Sequence, residues 1–260
     1  MKTFYLHRGS SPLLISLPHN GTAIPEALRQ RLSDAGLRVA DTDWRVDQLY
    51  DFAHELGASI LQPVYSRYLV DLNRPPDGGL LYPGQNETGL LPTLAFSGAA
   101  LYRPGAEPSA EEAPARIANY WQPYHQALQA EIARIKQQHG RVRLWDGHSI
   151  RSRVPMFFDG QLPDLNLGTA DGSSCAASLS ARLSAVLQTQ STYRVAINGR
   201  FKGGYITRHY GCPAQSVDAV QMEIAQVNYL DEDSFEYLPE CAAALQRVLR
   251  QLLLVFVADA

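Results

Sequence analysis

The sequence predicts an α/β fold, a single-domain three-layer sandwich over residues 1–260 built around a mixed, largely parallel central sheet. Three observations carry that expectation. Short apolar runs alternate with stretches of helical period along most of the chain. Two of those runs, Leu14-Ile15-Ser16-Leu17-Pro18-His19-Asn20-Gly21 and Val142-Arg143-Leu144-Trp145-Asp146-Gly147-His148-Ser149, reach a histidine close to a glycine. A third, Val217 to Ile224, carries Glu223 inside an otherwise mostly apolar stretch. In open α/β sheets, ligands bind at the carboxyl ends of strands, which is where these polar groups fall.

The elements follow in order. Leu14 to Leu17 reads as a buried strand. Pro25 to Ala35 reads as a helix, with proline early and Gly36 just past its end. From Asp43 to Leu56, Val46, Leu49, Tyr50, Ala53 and Leu56 share one helical face, and Gly57 closes the segment. Ser59 to Val64 and Tyr68 to Leu72 read as strands. Pro75 to Pro108 is rich in Gly and Pro without clear period, so it is a long loop of the kind that often carries function. Ala113 to His139 is the clearest helix, with Pro123 predicting a kink or a restart. Val142 to Trp145 is a strand, Ser178 to Leu187 a helix and Tyr193 to Ile197 a strand. Asn198 to Tyr205 is a glycine-rich loop, Val217 to Ile224 a strand, and Cys241 to Phe256 a final helix packing on the sheet. No repeat, low-complexity tract or linker divides the chain.

Composition narrows the class of function. A length of 260 residues is enough for a sizeable core. A net charge of -3 argues against a general nucleic-acid binder, but a locally basic pocket for a small anion remains open. Three cysteines, Cys175, Cys212 and Cys241, at no metal-finger spacing, read as reduced thiols of a cytoplasmic protein. His7, Arg8, Gly9 and Pro12 interrupt any signal peptide, and Leu252 to Val257 is too short to span a membrane.

Catalytic zinc commonly has three protein ligands and one open position. His19 and His148 supply two candidates at one sheet edge. A His-x-x-Glu motif is absent, because Thr22 stands three residues after His19. Asp43 is the chosen third ligand, since the start of its helix can face the same edge, with Asp47 in reserve. Glu223 in an apolar strand is desolvated, which raises its proton affinity toward that of a general base. A buried salt bridge, or a sheet-edge position with its side chain in water, is the alternative reading of Glu223, and a merely structural histidine that of either His19 or His148. Arg67, Arg74, Arg151, Arg153, Arg200 and Arg208 cluster at strand and loop ends, where guanidinium groups suit carboxylates. Gly199-Arg200-Phe201-Lys202-Gly203-Gly204 lacks the Walker and dinucleotide patterns and reads as a binding loop.

Taken together, these segments resemble the N-formylglutamate amidohydrolase (N-formylglutamate deformylase) family. The resemblance runs through Pro18-His19-Asn20-Gly21, Asp41-Thr42-Asp43-Trp44, Ser66-Arg67-Tyr68-Leu69-Val70-Asp71-Leu72-Asn73-Arg74-Pro75-Pro76 and Leu81-Tyr82-Pro83-Gly84-Gln85. It continues through Tyr120-Trp121-Gln122-Pro123-Tyr124-His125, Trp145-Asp146-Gly147-His148-Ser149-Ile150-Arg151-Ser152 and Pro163-Asp164-Leu165-Asn166-Leu167-Gly168-Thr169. It ends in Asn198 to Gly211 and Gln221-Met222-Glu223. The family resemblance implies a fold related to zinc carboxypeptidases. It also implies hydrolysis of N-formyl-L-glutamate to formate and L-glutamate, a step of histidine breakdown, with one divalent metal ion, zinc. By position it implies metal ligands His19, Asp43 and His148 and a catalytic base Glu223. Arg67 is then the candidate for stabilising the oxyanion, and Arg74 and Arg208, assisted by Asn73 and Tyr205, for holding the two substrate carboxylates. The rival expectations are another N-acyl amino-acid hydrolase, such as a desuccinylase, and a non-catalytic carboxylate- or phosphate-binding protein.

Overall fold

The computed structural model describes residues 2–81 and 84–258, so Tyr82 and Pro83 of the resembling stretch lie outside the described residues. The strands are β1 (Phe4–His7), β2 (Leu13–Ser16), β3 (Ser59–Pro63), β4 (Val142–Ile150), β5 (Leu165–Gly168), β6 (Val195–Ile197) and β7 (Val217–Ala225). The α-helices are α1 (Glu26–Arg29), α2 (Asp34–Leu37), α3 (Val46–Leu49), α4 (Glu112–Arg116), α5 (Gln122–His139), α6 (Ala177–Gln188), α7 (Tyr205–Tyr210) and α8 (Pro239–Val257). The strands form one seven-stranded sheet in the order β1-β3-β2-β4-β7-β5-β6. β3, β2, β4 and β7 run parallel, while β1 pairs antiparallel with β3 and β5 antiparallel with β7. The expected mixed, largely parallel α/β sheet is therefore observed.

Side-chain alternation along the strands sorts the core into two layers. Leu13, Ile15, Trp145, Val220, Met222 and Ile224 face α3, α6, α8 and the 3₁₀ turn Asp51–Leu56. Leu14, Leu61, Val142, Leu144, Val217 and Ala219 face α5 and α7. Trp145 is fully buried and donates from Nε1 to the Tyr50 hydroxyl at 2.8 Å, which satisfies its polar edge inside the core.

Three expectations of local structure change. Tyr68 to Leu72 is not a strand. Its backbone runs through turns, with Leu69 N donating to Ser66 O and Asp71 N to Leu90 O. The apolar side chains of Tyr68 and Leu69 are still buried, in a satellite cluster with Leu32 and Leu101, so burial without pairing produced the strand-like pattern. The expected helix from Pro25 to Ala35 is two single turns, α1 and α2, because the Ser33 hydroxyl caps a new start by accepting from Gly36 N at 3.2 Å. The expected helix from Asp43 begins only at Val46, after Arg45 in a left-handed conformation, and continues as 3₁₀ to Gly57.

Other boundaries hold or extend. Pro123 sits in the first turn of α5, after a π-type turn over Ile117–Trp121, which is the restart its missing N–H required. β4 continues past Trp145 to Ile150, so His148 lies within the strand and not beyond it. Gly147 permits this: a Cβ there would come 2.8 Å from Leu17 Cδ2 and 3.1 Å from the Tyr50 ring. β1, β5 and α7 lie where no element was expected. No helix among the described residues is long and apolar enough to cross a membrane.

Candidate active site

The register of β4 and β7 builds the centre of the site. His148 pairs with Glu223 and Asp146 with Gln221, and all four point to the same sheet face by the two-residue period. On that face the amino-terminal halves of both strands carry Val142, Leu144, Val217 and Ala219 of the core, whereas the carboxyl halves carry these four polar yet buried groups. His19 arrives from the loop that follows β2. Its carbonyl accepts from Asp43 N at 3.0 Å, and that backbone tie brings the two side chains to the same edge.

His19, Asp43 and His148 present one donor atom each within 4.8 Å of one another, and all three are buried. Asp43 Oδ2 lies 3.0 Å from His148 Nδ1 and 3.9 Å from His19 Nδ1. Two donors on one tetrahedral zinc stand about 3.4 Å apart, a value these two distances straddle. The donor set, two imidazole nitrogens and a carboxylate oxygen, therefore fits one divalent cation. Asp47 is exposed and lines a different surface hollow with Gln48, Asp51 and His54, so the reserve candidate stands away from the histidines.

Each histidine is backed on its other nitrogen, a support that sequence reasoning did not assign. His19 Nε2 hydrogen-bonds Asp71 Oδ1 at 2.7 Å. His148 Nε2 lies 3.2 Å from Asp146 Oδ1, close enough for charge attraction without a well-aligned hydrogen bond, and 2.8 Å from Asn73 Nδ2. Asp146 Oδ2 accepts from Asn73 Nδ2 and from the Thr207 hydroxyl, both at 3.1 Å. Such outer partners orient ligand imidazoles and raise their basicity. Asp146 stands two residues before His148 on one strand, so the alternation of β4 held the signal.

Electrostatics separate the two rings. Burial, reinforced by the Arg67 cation, lowers the proton affinity of His19 and keeps it neutral. Burial acts the same way on His148, but Asp146 and Asp43 outweigh it and hold that imidazole well above its usual value. Asp71 is desolvated too, yet Arg67 and His19 hold it well below the usual carboxylate range. Burial pushes the Glu223 carboxyl up to about 8, against the pull of His148.

Glu223 is held from its own strand. Gln221 Oε1 accepts from Gly204 N at 2.7 Å, and Gln221 Nε2 donates to Glu223 Oε2 at 3.2 Å. Asn73 is similarly fixed: its Oδ1 accepts from Ile206 N at 2.7 Å and its carbonyl from Tyr205 N at 3.2 Å, satisfying the first turn of α7. Gly204 must be glycine here, since a Cβ would fall 2.4 Å from Asn73 Nδ2.

These groups share a pocket of about 530 Å³, measured out to its open mouth, lined also by Arg67, Arg74 and Arg200 and by Phe96, Phe157 and Phe201. Arg67 donates to Asp71 Oδ2 at 2.6 Å, lies 3.2 Å from His19 Nδ1 and packs its guanidinium 4.9 Å from the Phe96 ring centre. Arg74 is anchored through Nε to Thr88 O at 2.6 Å. Tyr205 and Arg208 stand outside the pocket lining. Tyr205 stacks on His209, 4.7 Å between ring centres, and Arg208 is exposed with Nε donating to Gly203 O. Both are carried away because the segment they occupy folds into α7. Arg200, in the loop marked for binding but not itself selected, lines the pocket instead.

Residues 11–230 match the family described as N-formylglutamate amidohydrolase. The chain belongs to the N-formylglutamate amidohydrolase family. Among its relatives, the N-formylglutamate deformylase of Pseudomonas aeruginosa is 52% identical over 247 residues, covering 95% of this chain and 92% of the relative. The N-formylglutamate deformylase of Pseudomonas putida is 47% identical over 258 residues, covering 99% and 96%. The crystal structure of N-formylglutamate amidohydrolase from Ralstonia eutropha JMP134 superposes with a TM-score of 0.81 at 26% identity, over 99% of this chain and 96% of that one. For an N-formylglutamate amidohydrolase, a buried carboxylate beside a candidate metal triad and a pocket lined by three arginines are chemically apt.

Proposed function

We propose that this protein is a cytoplasmic amidohydrolase, one catalytic domain over residues 1–260, that cleaves N-formyl-L-glutamate to formate and L-glutamate in histidine degradation. The names of its relatives, at about half identity over nearly the whole chain, support the substrate. The observation that carries the mechanism is Glu223, buried in register with His148 and lining the same pocket as His19 and Asp43. His19, Asp43 and His148 would hold one divalent ion, zinc by the chemistry of a two-imidazole, one-carboxylate donor set. When bound, that ion supplies polarisation of the formyl carbonyl and acidification of a water molecule.

The chain's own groups do the rest. Glu223 accepts a proton from the attacking water and delivers it to the departing amide nitrogen. Its burial keeps proton affinity high enough for both transfers. Arg67, fixed by Asp71, donates to the oxygen on which negative charge develops. Arg74 pairs with the carboxylate nearest the scissile bond. Asn73, with its amide committed to Ile206 N and Asp146, acts by positioning. Tyr205 and Arg208 are kept outside this reading because they do not line the pocket.

The test is formate release from N-formyl-L-glutamate by purified protein, before and after chelation and zinc return. Activity lost with chelator and restored by zinc is the expected result. Activity indifferent to complete metal removal would discard the metal mechanism, and no activity in folded, zinc-loaded protein would discard the substrate.

A further inference from the structure

We infer that Arg200 binds the side-chain carboxylate of the substrate and thereby sets specificity for an acidic N-formyl amino acid. The inference rests on the function proposed above and adds a residue to it.

Arg200 lines the same pocket as the candidate metal ligands but stands at the far end of an aromatic wall. That wall can be followed ring by ring. The Arg67 guanidinium, beside His19, lies 4.9 Å from the Phe96 ring centre. Phe96 meets Phe157 edge-on at 4.9 Å. The Arg200 guanidinium lies 5.5 Å from the Phe157 ring centre and 5.4 Å from that of Phe201. Two phenyl rings therefore separate the cation beside the metal ligands from Arg200. Extended N-formylglutamate spans about 6 Å from its formyl carbon to the carbon of its side-chain carboxylate. A substrate whose carbonyl faces His19, Asp43 and His148 thus needs its second cation well away from Arg67.

The guanidinium is also pre-oriented. Arg200 Nε donates to Phe157 O at 2.8 Å and Nη2 to Asn86 O at 2.7 Å. These carbonyls are neutral and fix the plane of the fork. The flanking rings of Phe157 and Phe201 lower the polarity around the charge, which strengthens pairing with a carboxylate. Arg67 is paired with Asp71, whereas Arg74 is oriented by the carbonyls of Thr88 and Asn73, with the Glu87 carboxylate 3.9 Å from its Nε. A dianionic substrate requires two anchors, and Arg200 completes the pair with Arg74.

The experiment compares the zinc-loaded wild-type enzyme with Arg200→Gln and Arg200→Lys on N-formyl-L-glutamate and on N-formyl-L-glutamine, its neutral isostere. Inhibition constants for L-glutamate and L-glutamine give the same comparison where turnover of the amide is too slow to measure. Arg200→Gln should lower kcat/KM for the acid about 100-fold, mainly through KM, with the amide within about threefold of wild type. Arg200→Lys should recover about tenfold of that loss by restoring charge without the fork. An equal fall on both ligands would show that Arg200 only ties the loops together and would overturn the inference, as would an unchanged ratio. Wild-type enzyme that fails to hydrolyse N-formyl-L-glutamate would instead overturn the proposed function itself, before any variant is made.

Discussion

Glu223 and His148 occupy the same register position on neighbouring parallel strands, so the candidate base is set beside a candidate ligand by sheet hydrogen bonding and not by a loop. Placement on strands gives a geometry that does not depend on closure of the surrounding loops. Glu223→Gln keeps the size and one oxygen acceptor while removing the proton-accepting charge. Turnover should fall about 1000-fold, within the range general bases contribute. Zinc stoichiometry and the affinity for L-glutamate should stay close to wild type. A variant that loses its metal together with its activity would assign Glu223 a ligand role instead.

Asp71 supports His19 and neutralises Arg67 at once, with contacts of 2.7 and 2.6 Å. Asp71→Asn should weaken zinc affinity about 10- to 100-fold, the usual effect of losing a carboxylate behind a ligand imidazole. Competition against a chelator of known affinity measures it. Asp47→Asn, altering an exposed group outside the pocket, is the control and should change nothing. Equal affinities for both variants would mean that Asp71 serves only to pair Arg67.

Gly204→Ala tests the contact between α7 and the polar network. The added methyl would enter within 2.4 Å of the Asn73 amide, whose two hydrogen-bonding atoms are already engaged. Destabilisation of about 1–3 kcal/mol is expected, as for overpacking elsewhere. Activity should fall further than stability alone explains, because Gln221 N–H donation to Glu223 depends on the same backbone. Denaturant unfolding alongside initial rates separates the two.

His125 predicts an acid-sensitive fold. Its ring stacks 3.7 Å from Trp121, with Nε2 against Leu72 O and Nδ1 against the Tyr210 hydroxyl. Burial lowers its pKa from 6.5 to about 4, aided by His209 and opposed by the Leu72 carbonyl and Asp146. The unfolded chain therefore binds a proton below about 6.5 that the folded chain refuses until about 4. The contribution of neutral His125 is complete above that window and is lost as pH falls through it. Between pH 7 and pH 5 the stability advantage of wild type over His125→Gln should shrink by about 2 kcal/mol. A gap that stays constant would mean that His125 is free to protonate in the native state.

The parts of this site that the sequence made legible are those marked by position in a strand. His148 and Glu223 are polar breaks in apolar runs, and the sheet brings them together. Asp43 could be preferred to Asp47 only on helix phase, and the helix in fact starts after it, so the backbone tie to His19 decides its placement. Tyr68 to Leu72 misled because apolar burial is shared by strands and by turns packed under loops. Tyr205 and Arg208 enter as candidates through the family resemblance and the two carboxylates of the substrate it implies. The short α7 rotates them outward, a turn that six residues of mixed polarity do not announce. Arg200 depends on Phe157 and Asn86, 43 and 114 residues away, and no local pattern encodes such contacts.

The segment that backs the candidate metal ligands has a last implication. Asp71 lies behind His19 and Asn73 behind His148, two residues apart on one turn. Both imidazoles are thus braced from one turn, and their relative placement depends in part on the spacing between positions 71 and 73. Side-chain changes here weaken one support at a time, whereas inserting or deleting a single residue between them would detune both rings together. This turn should therefore be far less tolerant of changes in length than of changes in chemistry.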